Sequence, residues 1–171
     1  MMKFVFNEKS SKWQKIKNVR DWVRSFDSSS KDEKGHSALS LAEFCSRATI
    51  EEEFNVMLKP VFQSENFILQ TAQPEKSSRF DNYRKQRIHD LAIYGQTDSG
   101  KSIFVGVEAK VDETYNSNLS KIYDKAKSEQ LNGKNTMIPQ RIESLIKNYF
   151  PGLSIRSSVR YQILYAIAGT L

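Results

Sequence analysis

Apolar side chains in the first third of the chain recur at three- and four-residue spacing, which is typical of amphipathic helices. This spacing covers residues 13–26, 37–45 and 49–60. Ser37 is a suitable N-cap for the second stretch, and Thr49 with Glu52 forms a capping box for the third. The pattern predicts a helical N-terminal segment over residues 1–36, followed by two further helices.

The middle of the chain changes to short apolar and β-branched runs, which favour strands. Three strands are predicted, over residues 67–73, 88–95 and 102–110. A polar break at residues 74–78 follows the first of them. Residues 96–101 are turn formers that join the second strand to the third. Because this connection is too short for a parallel crossover, the two strands are expected to form an antiparallel hairpin.

Helical spacing returns in the last third of the chain. Two helices are expected there, the first capped by Asn118 or Ser117 and the second with Pro139 in its first turn. Residues 159–171 are apolar on nearly all sides, which favours a buried helix, although a strand is possible for part of them. The chain stops within this apolar stretch. We therefore expect residues 37–171 to form a domain that is C-terminally incomplete, or whose core a homodimer partner or another chain completes.

Composition narrows the class of protein. A chain of 171 residues with 39% hydrophobic residues can bury one core, so a single compact domain is expected overall. The single cysteine, Cys45, excludes an internal disulfide framework and a multi-cysteine metal site. No apolar run approaches the roughly 20 residues that span a bilayer, and the N-terminus lacks the apolar stretch of a signal peptide. We expect a soluble, cytoplasmic protein with no membrane partner.

The charge of the chain bears on its partners. The net charge is +6 and the isoelectric point is near 9.3. A basic protein attracts polyanions such as DNA through their phosphates. Charge alone is equally consistent with a soluble protein that is basic but binds no polyanion. The residues that could carry chemistry are needed to distinguish the two.

That chemistry lies in the predicted hairpin. Side chains alternate along a strand, so Glu108 and Lys110 are expected on one face and Ala109 on the other. Charged groups on an otherwise apolar strand are costly without a partner, and a divalent cation would resolve that cost. Asp90, Glu108 and the backbone carbonyl of Ala109 offer hard oxygen ligands for Mg²⁺, or for Mn²⁺. The alternative is a cross-strand ion pair of Lys110 with Asp90 or Glu108.

The same residues suggest a reaction. A metal held by the two carboxylates would polarise a phosphate and lower the pKa of a bound water. Lys110 would orient that water, help to deprotonate it and add positive charge at the transition state. Asp90, Glu108 and Lys110 are therefore the predicted catalytic residues of a phosphodiester hydrolysis.

The segments that carry these residues resemble a known motif. RIHDLAIYG, with Asp90, and FVGVEAKVDE, with Glu108 and Lys110, resemble the motif of the PD-(D/E)XK nuclease superfamily. The predicted order of a helix, three strands and a later helix is also similar to that superfamily, whereas Ile88 and His89 replace the usual proline before the aspartate. The resemblance implies a restriction-endonuclease-like α/β fold with a mixed sheet, whose last core strand is missing here. It also implies an Mg²⁺-dependent endonuclease that acts on DNA.

The resemblance further implies supporting residues. Members often carry a glutamate on the helix before the hairpin, and four glutamates could serve, namely Glu43, Glu51, Glu52 and Glu53. Glu53 is favoured, because Glu52 is already explained by the capping box. Some members carry a glutamine and a tyrosine on the later helix, which favours Gln162. Contacts with nucleic acid are expected from basic side chains, namely Lys76, Arg79, Arg84, Lys85, Arg87 and Arg160. For each of these residues the alternative is an ordinary solvated surface.

Three other features favour ordinary structure, and one alternative function stays open. Residues 95–102 fit the phosphate-loop pattern GxxxxGKS, but strand-like residues follow where a helix is required, so a hairpin turn is expected. Cys45 has apolar neighbours at helical spacing and is expected in the core rather than as a nucleophile. His89 is expected on the opposite face of its strand from Asp90. The alternative function is a non-catalytic nucleic-acid-binding or protein-interaction module on the same fold.

Overall fold

The structure is a computed structural model that describes residues 2–7, 13–24, 36–62, 65–84, 86–111, 114–115 and 117–171. The chain divides into two compact units. Unit 1 comprises Met1–Lys76 and Ile88–Glu113, and unit 2 comprises Ser77–Arg87 and Thr114–Leu171. Among the helices described, none has both the length and the apolar character needed to cross a membrane.

The described residues form a mixed α/β fold, so the expected α/β class with a mixed sheet is confirmed. The strands are β1 (Lys3–Asn7), β2 (Trp13–Lys15), β3 (Phe67–Ser78), β4 (Arg87–Thr97) and β5 (Ser102–Val107). The helices are α1 (Val19–Arg24), α2 (His36–Cys45), α3 (Ile50–Leu58), α4 (Leu119–Leu131), α5 (Ile138–Tyr149) and α6 (Tyr161–Ala168). The sheet has the order β2-β1-β3-β4-β5 and is mixed, because β1 is parallel to β3 and antiparallel to β2, while β4 and β5 are antiparallel.

The N-terminal part contains strands that the sequence pattern did not predict. The strand β2 pairs with β1, and the backbone N–H of Ile16 continues this contact by donating to the carbonyl of Phe4 at 2.8 Å. The helix α1 begins only at Val19. The prediction of a helix from residue 13 is therefore wrong, because pairing with β1 supplies backbone partners that a helix would otherwise provide. The end of that predicted helix, residues 25–26, lies outside the described residues.

The core of unit 1 forms where its three helices meet the strands β3 and β4. The predicted second and third helices are confirmed as α2 and α3. The large apolar side chains of this core are at most 7% exposed; they are Trp22, Leu41, Phe54, Leu69, Leu91 and Ile93. Full burial of such a side chain contributes about 1.5–3 kcal/mol to folding, so this cluster accounts for much of the stability of the unit.

The strand β3 extends beyond its predicted end. It continues through Pro74 to Ser78, so the polar break predicted at residues 74–78 is wrong. Pro74 is buried, and Glu75 adopts a φ of 51°, which is uncommon for a residue other than glycine. A proline beside a left-handed residue within a strand is typical of a β-bulge. The composition of a bulge resembles that of a loop, which explains the error.

The predicted antiparallel hairpin is confirmed by β4 and β5, whose register runs from Gln96 opposite Ser102 to Leu91 opposite Val107. In the turn, the backbone N–H of Thr97 donates to the carbonyl of Lys101 at 2.9 Å. The stretch that fits a phosphate-loop pattern is therefore a hairpin turn, as expected, and a strand follows it. The ammonium of Lys101 lies 2.5 Å from the Oε1 atom of Glu65.

Gly95 lies where β4 approaches its neighbour β3 closely. A Cβ atom built on Gly95 would lie 2.4 Å from the carbonyl oxygen of Ile68. Real Cβ atoms do not come this close to a backbone oxygen, so one of the two strands would have to shift. A glycine is required here by close packing of backbone against backbone.

We expect Gly95→Ala to lower the free energy of unfolding by about 2–4 kcal/mol, because the strands must separate to admit the methyl group. Urea denaturation would measure the loss. Gly133→Ala is the control, since an added Cβ there meets no atom within 4 Å and only the φ of +80° is unfavourable. That control should cost about 1 kcal/mol. Equal losses for the two variants would contradict the packing explanation.

Unit 2 has its own apolar core, formed by α4, α5 and α6. Its most deeply buried members are Leu119, Ile142, Leu145, Leu164 and Ala168. Pro139 lies in the first turn of α5, as predicted. The C-terminal apolar stretch forms a helix, α6, but Ile163 and Ile167 are 37% and 45% exposed. Its expected burial on nearly all sides is therefore wrong for this chain, because only the face that carries Leu164 and Ala168 packs against the core.

A buried ion pair connects α5 to the segment that joins β3 and β4. The guanidinium of Arg141 donates to both carboxylate oxygens of Asp81, at 2.7 and 2.9 Å. The two side chains are 9% and 12% exposed. The same segment is held by the hydroxyl of Tyr149, which donates to the carbonyl of Phe80 at 3.0 Å. Because two charges are removed from water together, each depends on the other.

We expect Asp81→Asn to lower the free energy of unfolding by about 3 kcal/mol, because it leaves the buried guanidinium of Arg141 without its charge partner. Thermal and urea unfolding would measure this loss. Asp124→Asn is the matched control, since Asp124 and its partner Arg156 are 53% and 68% exposed. An exposed pair contributes about 0–1 kcal/mol. If both variants lose the same free energy of unfolding, burial does not explain the contribution of the Arg141–Asp81 pair.

Candidate functional site

The candidate site begins where the ladder between β4 and β5 ends. The last paired residues are Leu91 and Val107. Beyond them, the carboxylate Oδ2 of Asp90 accepts a hydrogen bond from the backbone N–H of Ala109 at 2.8 Å. Glu108 therefore follows β5 and is not part of it, so its predicted place within the strand is wrong. In a longer ladder the N–H of Ala109 would be available to a backbone carbonyl of β4, whereas here it donates to the side chain of Asp90.

Glu108 and Lys110 contact one another at this end of the hairpin. The ammonium of Lys110 lies 3.7 Å from the Oε1 atom of Glu108, and the two side chains are only 24% and 13% exposed. Ala109, between them, packs against the core of unit 1. The predicted alternation of these three residues is therefore confirmed, although they lie beyond the strand. The ion pair joins residues two apart rather than residues on opposite strands.

Two carboxylates, those of Asp90 and Glu108, and the ammonium of Lys110 belong to residues at this end of the hairpin. Within the described ranges there is no group of three or more His, Cys, Asp or Glu residues that could hold a metal ion. Zinc requires such a ligand set, whereas Mg²⁺ binds through one or two carboxylates and keeps several waters. The residues present therefore fit Mg²⁺ better than zinc.

Glu53 has two local partners at the start of α3. The hydroxyl of Thr49 donates to its Oε1 atom at 2.6 Å, and Arg47 lies 3.5 Å from its Oε2 atom. Thr49 is the N-cap of α3, but its side chain makes no cap hydrogen bond, so the predicted capping box with Glu52 is wrong. The hydroxyl of Thr49 is directed to the carboxylate of Glu53 instead. Another glutamate of this helix, Glu51, accepts a hydrogen bond from the backbone N–H of Met2 at 2.9 Å.

The remaining predicted residues lie mostly in unit 2. Arg160 is the N-cap residue of α6, and Gln162 lies in the first turn of that helix. Arg79 and Arg84 are exposed, whereas Arg87 is buried. Lys85 lies outside the described residues. Lys76 belongs to unit 1, where it is half-buried in β3.

A comparison with known protein families now adds to this geometry. Residues 15–171 match the family described as a domain of unknown function, DUF6946. The chain belongs to this family. No curated protein and no solved structure matches the chain. Membership of this family therefore assigns no activity, and the site has to be interpreted from its own chemistry.

Sequence reasoning missed a second group of polar residues, around Arg141. Its guanidinium lies over the rings of Phe80, Tyr83 and Tyr165, with its carbon 4.4 Å from the centre of the Tyr165 ring. The sequence held one signal for it. Arg141 precedes Ile142 and lies one turn before Leu145, on the apolar face of α5. An arginine within such a face requires a buried partner, although the pattern does not name Asp81 as that partner.

Cys45 is buried in the core of unit 1, as expected. Burial raises the pKa of its thiol to about 12. The thiolate, rather than the thiol, is the nucleophile, and burial suppresses it at neutral pH. These properties agree with a structural role for this cysteine.

We expect the Cys45 thiol of the folded protein to react with a disulfide reagent at pH 8 at least about 100-fold more slowly than in the denatured protein, because it is both buried and protonated. Absorbance of the released thiolate would follow the reaction with and without urea. A fast reaction in the folded protein would contradict the buried, high-pKa assignment.

Proposed function

We propose that this chain is an Mg²⁺-dependent nuclease-like domain that hydrolyses DNA phosphodiester bonds. Asp90 and Glu108 would hold the metal together with the backbone carbonyl of Ala109, and Lys110 would assist the attacking water. The observation that carries the proposal is the convergence of Asp90, Glu108 and Lys110 at the end of the β4–β5 hairpin. Mn²⁺ has the same ligand preferences and is the alternative metal.

The charge and burial of this group support the metal. Glu108 is only 13% exposed, so its carboxylate is largely removed from water. The carboxylates of Asp90 and Glu108 would offer hard oxygen ligands to a divalent cation. One oxygen of Asp90 accepts the N–H of Ala109, and Glu108 is the ion-pair partner of Lys110.

Two contacts restrain these side chains, which supports the proposed chemistry. The N–H of Ala109 holds one oxygen of Asp90, which fixes the direction of the other oxygen. The carboxylate of Glu108 holds the ammonium of Lys110 beside it. When bound, Mg²⁺ supplies polarisation of the phosphate and a lowered pKa for its water. Lys110 can orient the attacking water and place positive charge where the phosphoryl oxygens gain negative charge.

The choice of DNA rests on charge and on the resemblance to PD-(D/E)XK nucleases, for which a restriction-endonuclease-like fold is part of the same proposal. The chain carries a net charge of +6. Basic side chains are proposed to contact phosphates, namely Lys76, Arg79, Arg84, Lys85 and Arg160, with Gln162 as a further substrate contact. Arg87 was expected among them, but its burial removes it from this group. Glu53 is proposed as a more distant support. Contacts of this kind position nucleic acid without reading its sequence.

One observation favours a second candidate function. The ion pair between Glu108 and Lys110 satisfies part of the local charge without a metal. A non-catalytic nucleic-acid-binding or protein-interaction module could use the same residues as structural elements. Such a module would retain its binding when the metal is removed, which separates it from the nuclease.

We expect calorimetric titration with Mg²⁺ to show binding that Glu108→Gln weakens by about tenfold or more, because a charged oxygen ligand is lost. Asp98→Asn is the matched control, since Asp98 is an exposed carboxylate in the turn at the other end of the same hairpin. The control should bind Mg²⁺ like the wild type. Equal affinities for all three proteins would contradict the metal assignment.

Cleavage provides the second half of the test. Asp90→Ala and Lys110→Ala should each lower Mg²⁺-dependent cleavage of DNA by at least about 100-fold, since each removes a group that the reaction requires. Full cleavage by either variant would refute the catalytic assignment. Metal-independent binding of DNA without cleavage by the wild type would favour the second candidate.

A further inference from the structure

Unit 2 contains a cavity that holds none of the residues proposed to catalyse hydrolysis, although Arg84, which lines it, is also one of the proposed phosphate contacts. Its volume is about 530 Å³. It lies beside the start of α5 and the start of α6, and apolar surface makes up most of its lining. The residues that define it include Tyr83, Arg84, Met137, Arg141, Tyr161 and Tyr165. Sites for small molecules in proteins range from roughly 300 to 1,000 Å³, so this one can hold a ligand of moderate size.

Three tyrosine rings are among the groups that line this cavity. The rings of Tyr161 and Tyr165 stack, with centres 5.8 Å apart and planes inclined by 24°. The guanidinium of Arg141 lies against Tyr165 and Tyr83 and is already neutralised by Asp81. Ring faces and a planar guanidinium are the groups on which flat heteroaromatic ligands stack. The lining therefore favours a planar aromatic group.

One cation at the cavity is not neutralised. Arg84 is exposed, and its side chain forms no ion pair within the part of the chain that the structure describes. Burial raises the pKa of Tyr161 to about 12 and that of Tyr165 above its ordinary value. Both hydroxyls are therefore neutral at physiological pH and add no negative charge. The cavity thus combines an aromatic surface with a free positive charge, which suits an anionic ligand.

We propose that this cavity binds a nucleotide, with the base stacked on its tyrosine rings and the phosphate paired with Arg84. A phosphate alone would not use the apolar lining, and an uncharged aromatic molecule would not use the arginine. A nucleotide joins both features in one molecule. The ligand could be a free nucleotide or a nucleotide of a single strand, because the recognised chemistry is the same. The site lies in unit 2, so it does not depend on hydrolysis at Asp90 and Glu108.

The test is calorimetric titration of the full chain in the presence of EDTA. EDTA removes divalent cations from every protein compared, so differences in metal binding cannot affect the measured affinity. The probes are adenosine 5′-monophosphate, inorganic phosphate and a single-stranded oligodeoxyadenylate. Tyr83→Leu removes a ring, and Tyr83→Phe keeps it. Arg84→Gln removes the proposed phosphate partner. Arg156→Gln is its control, because Arg156 is an exposed arginine of unit 2 that does not line this cavity.

We expect the monophosphate to bind, with Tyr83→Leu weakening it by about fivefold or more and Tyr83→Phe by less than about twofold. Arg84→Gln should weaken it about tenfold, and Arg156→Gln should leave its affinity unchanged within about twofold. Tighter binding of the oligonucleotide than of the monophosphate would identify a strand as the source of the ligand, and the reverse order would identify a free nucleotide.

Three results would overturn the proposal. The first is no binding of either nucleotide probe by the wild type at millimolar concentration. The second is inorganic phosphate that competes as well as the monophosphate, since the base would then contribute nothing. The third is an equal effect of Arg84→Gln and Arg156→Gln on the monophosphate, which would indicate attraction to overall charge. Circular dichroism would establish that each variant is folded before its affinity is interpreted.

Discussion

The ion pair between Arg141 and Asp81 determines how unit 2 is built. A guanidinium placed among the side chains of a helical core is tolerable only if an opposite charge reaches it. Asp81 supplies that charge with two hydrogen bonds, and this draws the segment between β3 and β4 onto the helices. Phe80 then packs against Tyr149 and Tyr165. The same guanidinium lies over the rings of Tyr83 and Tyr165, which line the cavity.

Charged side chains also meet other groups at the end of the β4–β5 hairpin, but the contacts there are of a different kind. Lys110 pairs with Glu108, which lies two residues before it, and Asp90 accepts the backbone N–H of Ala109. The pair in unit 2 joins residues 60 apart along the chain, so it holds a whole segment against a helix. The contacts at the hairpin restrain only the side chains and the backbone where two paired strands end.

Periodicity predicted those parts of the fold in which local contacts decide the structure. The hairpin, α2, α3 and α5 follow from spacing and turn residues near in sequence. Spacing did not predict β2, because this strand forms by pairing with β1 and has no strand pattern of its own. The predicted β3 was too short, because Pro74 and Glu75, which are typical of loops, lie within the strand. For the site, alternation predicted that Glu108 and Lys110 lie together. It could not predict the bond from Ala109 to Asp90 or the pairing of Arg141 with Asp81, which depend on residues distant along the chain.

The two units are interleaved along the chain, and this affects how the protein can form during synthesis. Ser77–Arg87 leaves the ribosome before the helices that it packs against, and Asp81 is 60 residues ahead of Arg141. At roughly 5–20 residues per second, that interval is on the order of seconds. During this interval the charge of Asp81 keeps Ser77–Arg87 hydrated, although the neighbouring Phe80 is apolar. The core of unit 1 can therefore form while Ser77–Arg87 is still without its packing partners. The core of unit 2 forms only after its helices have been synthesised.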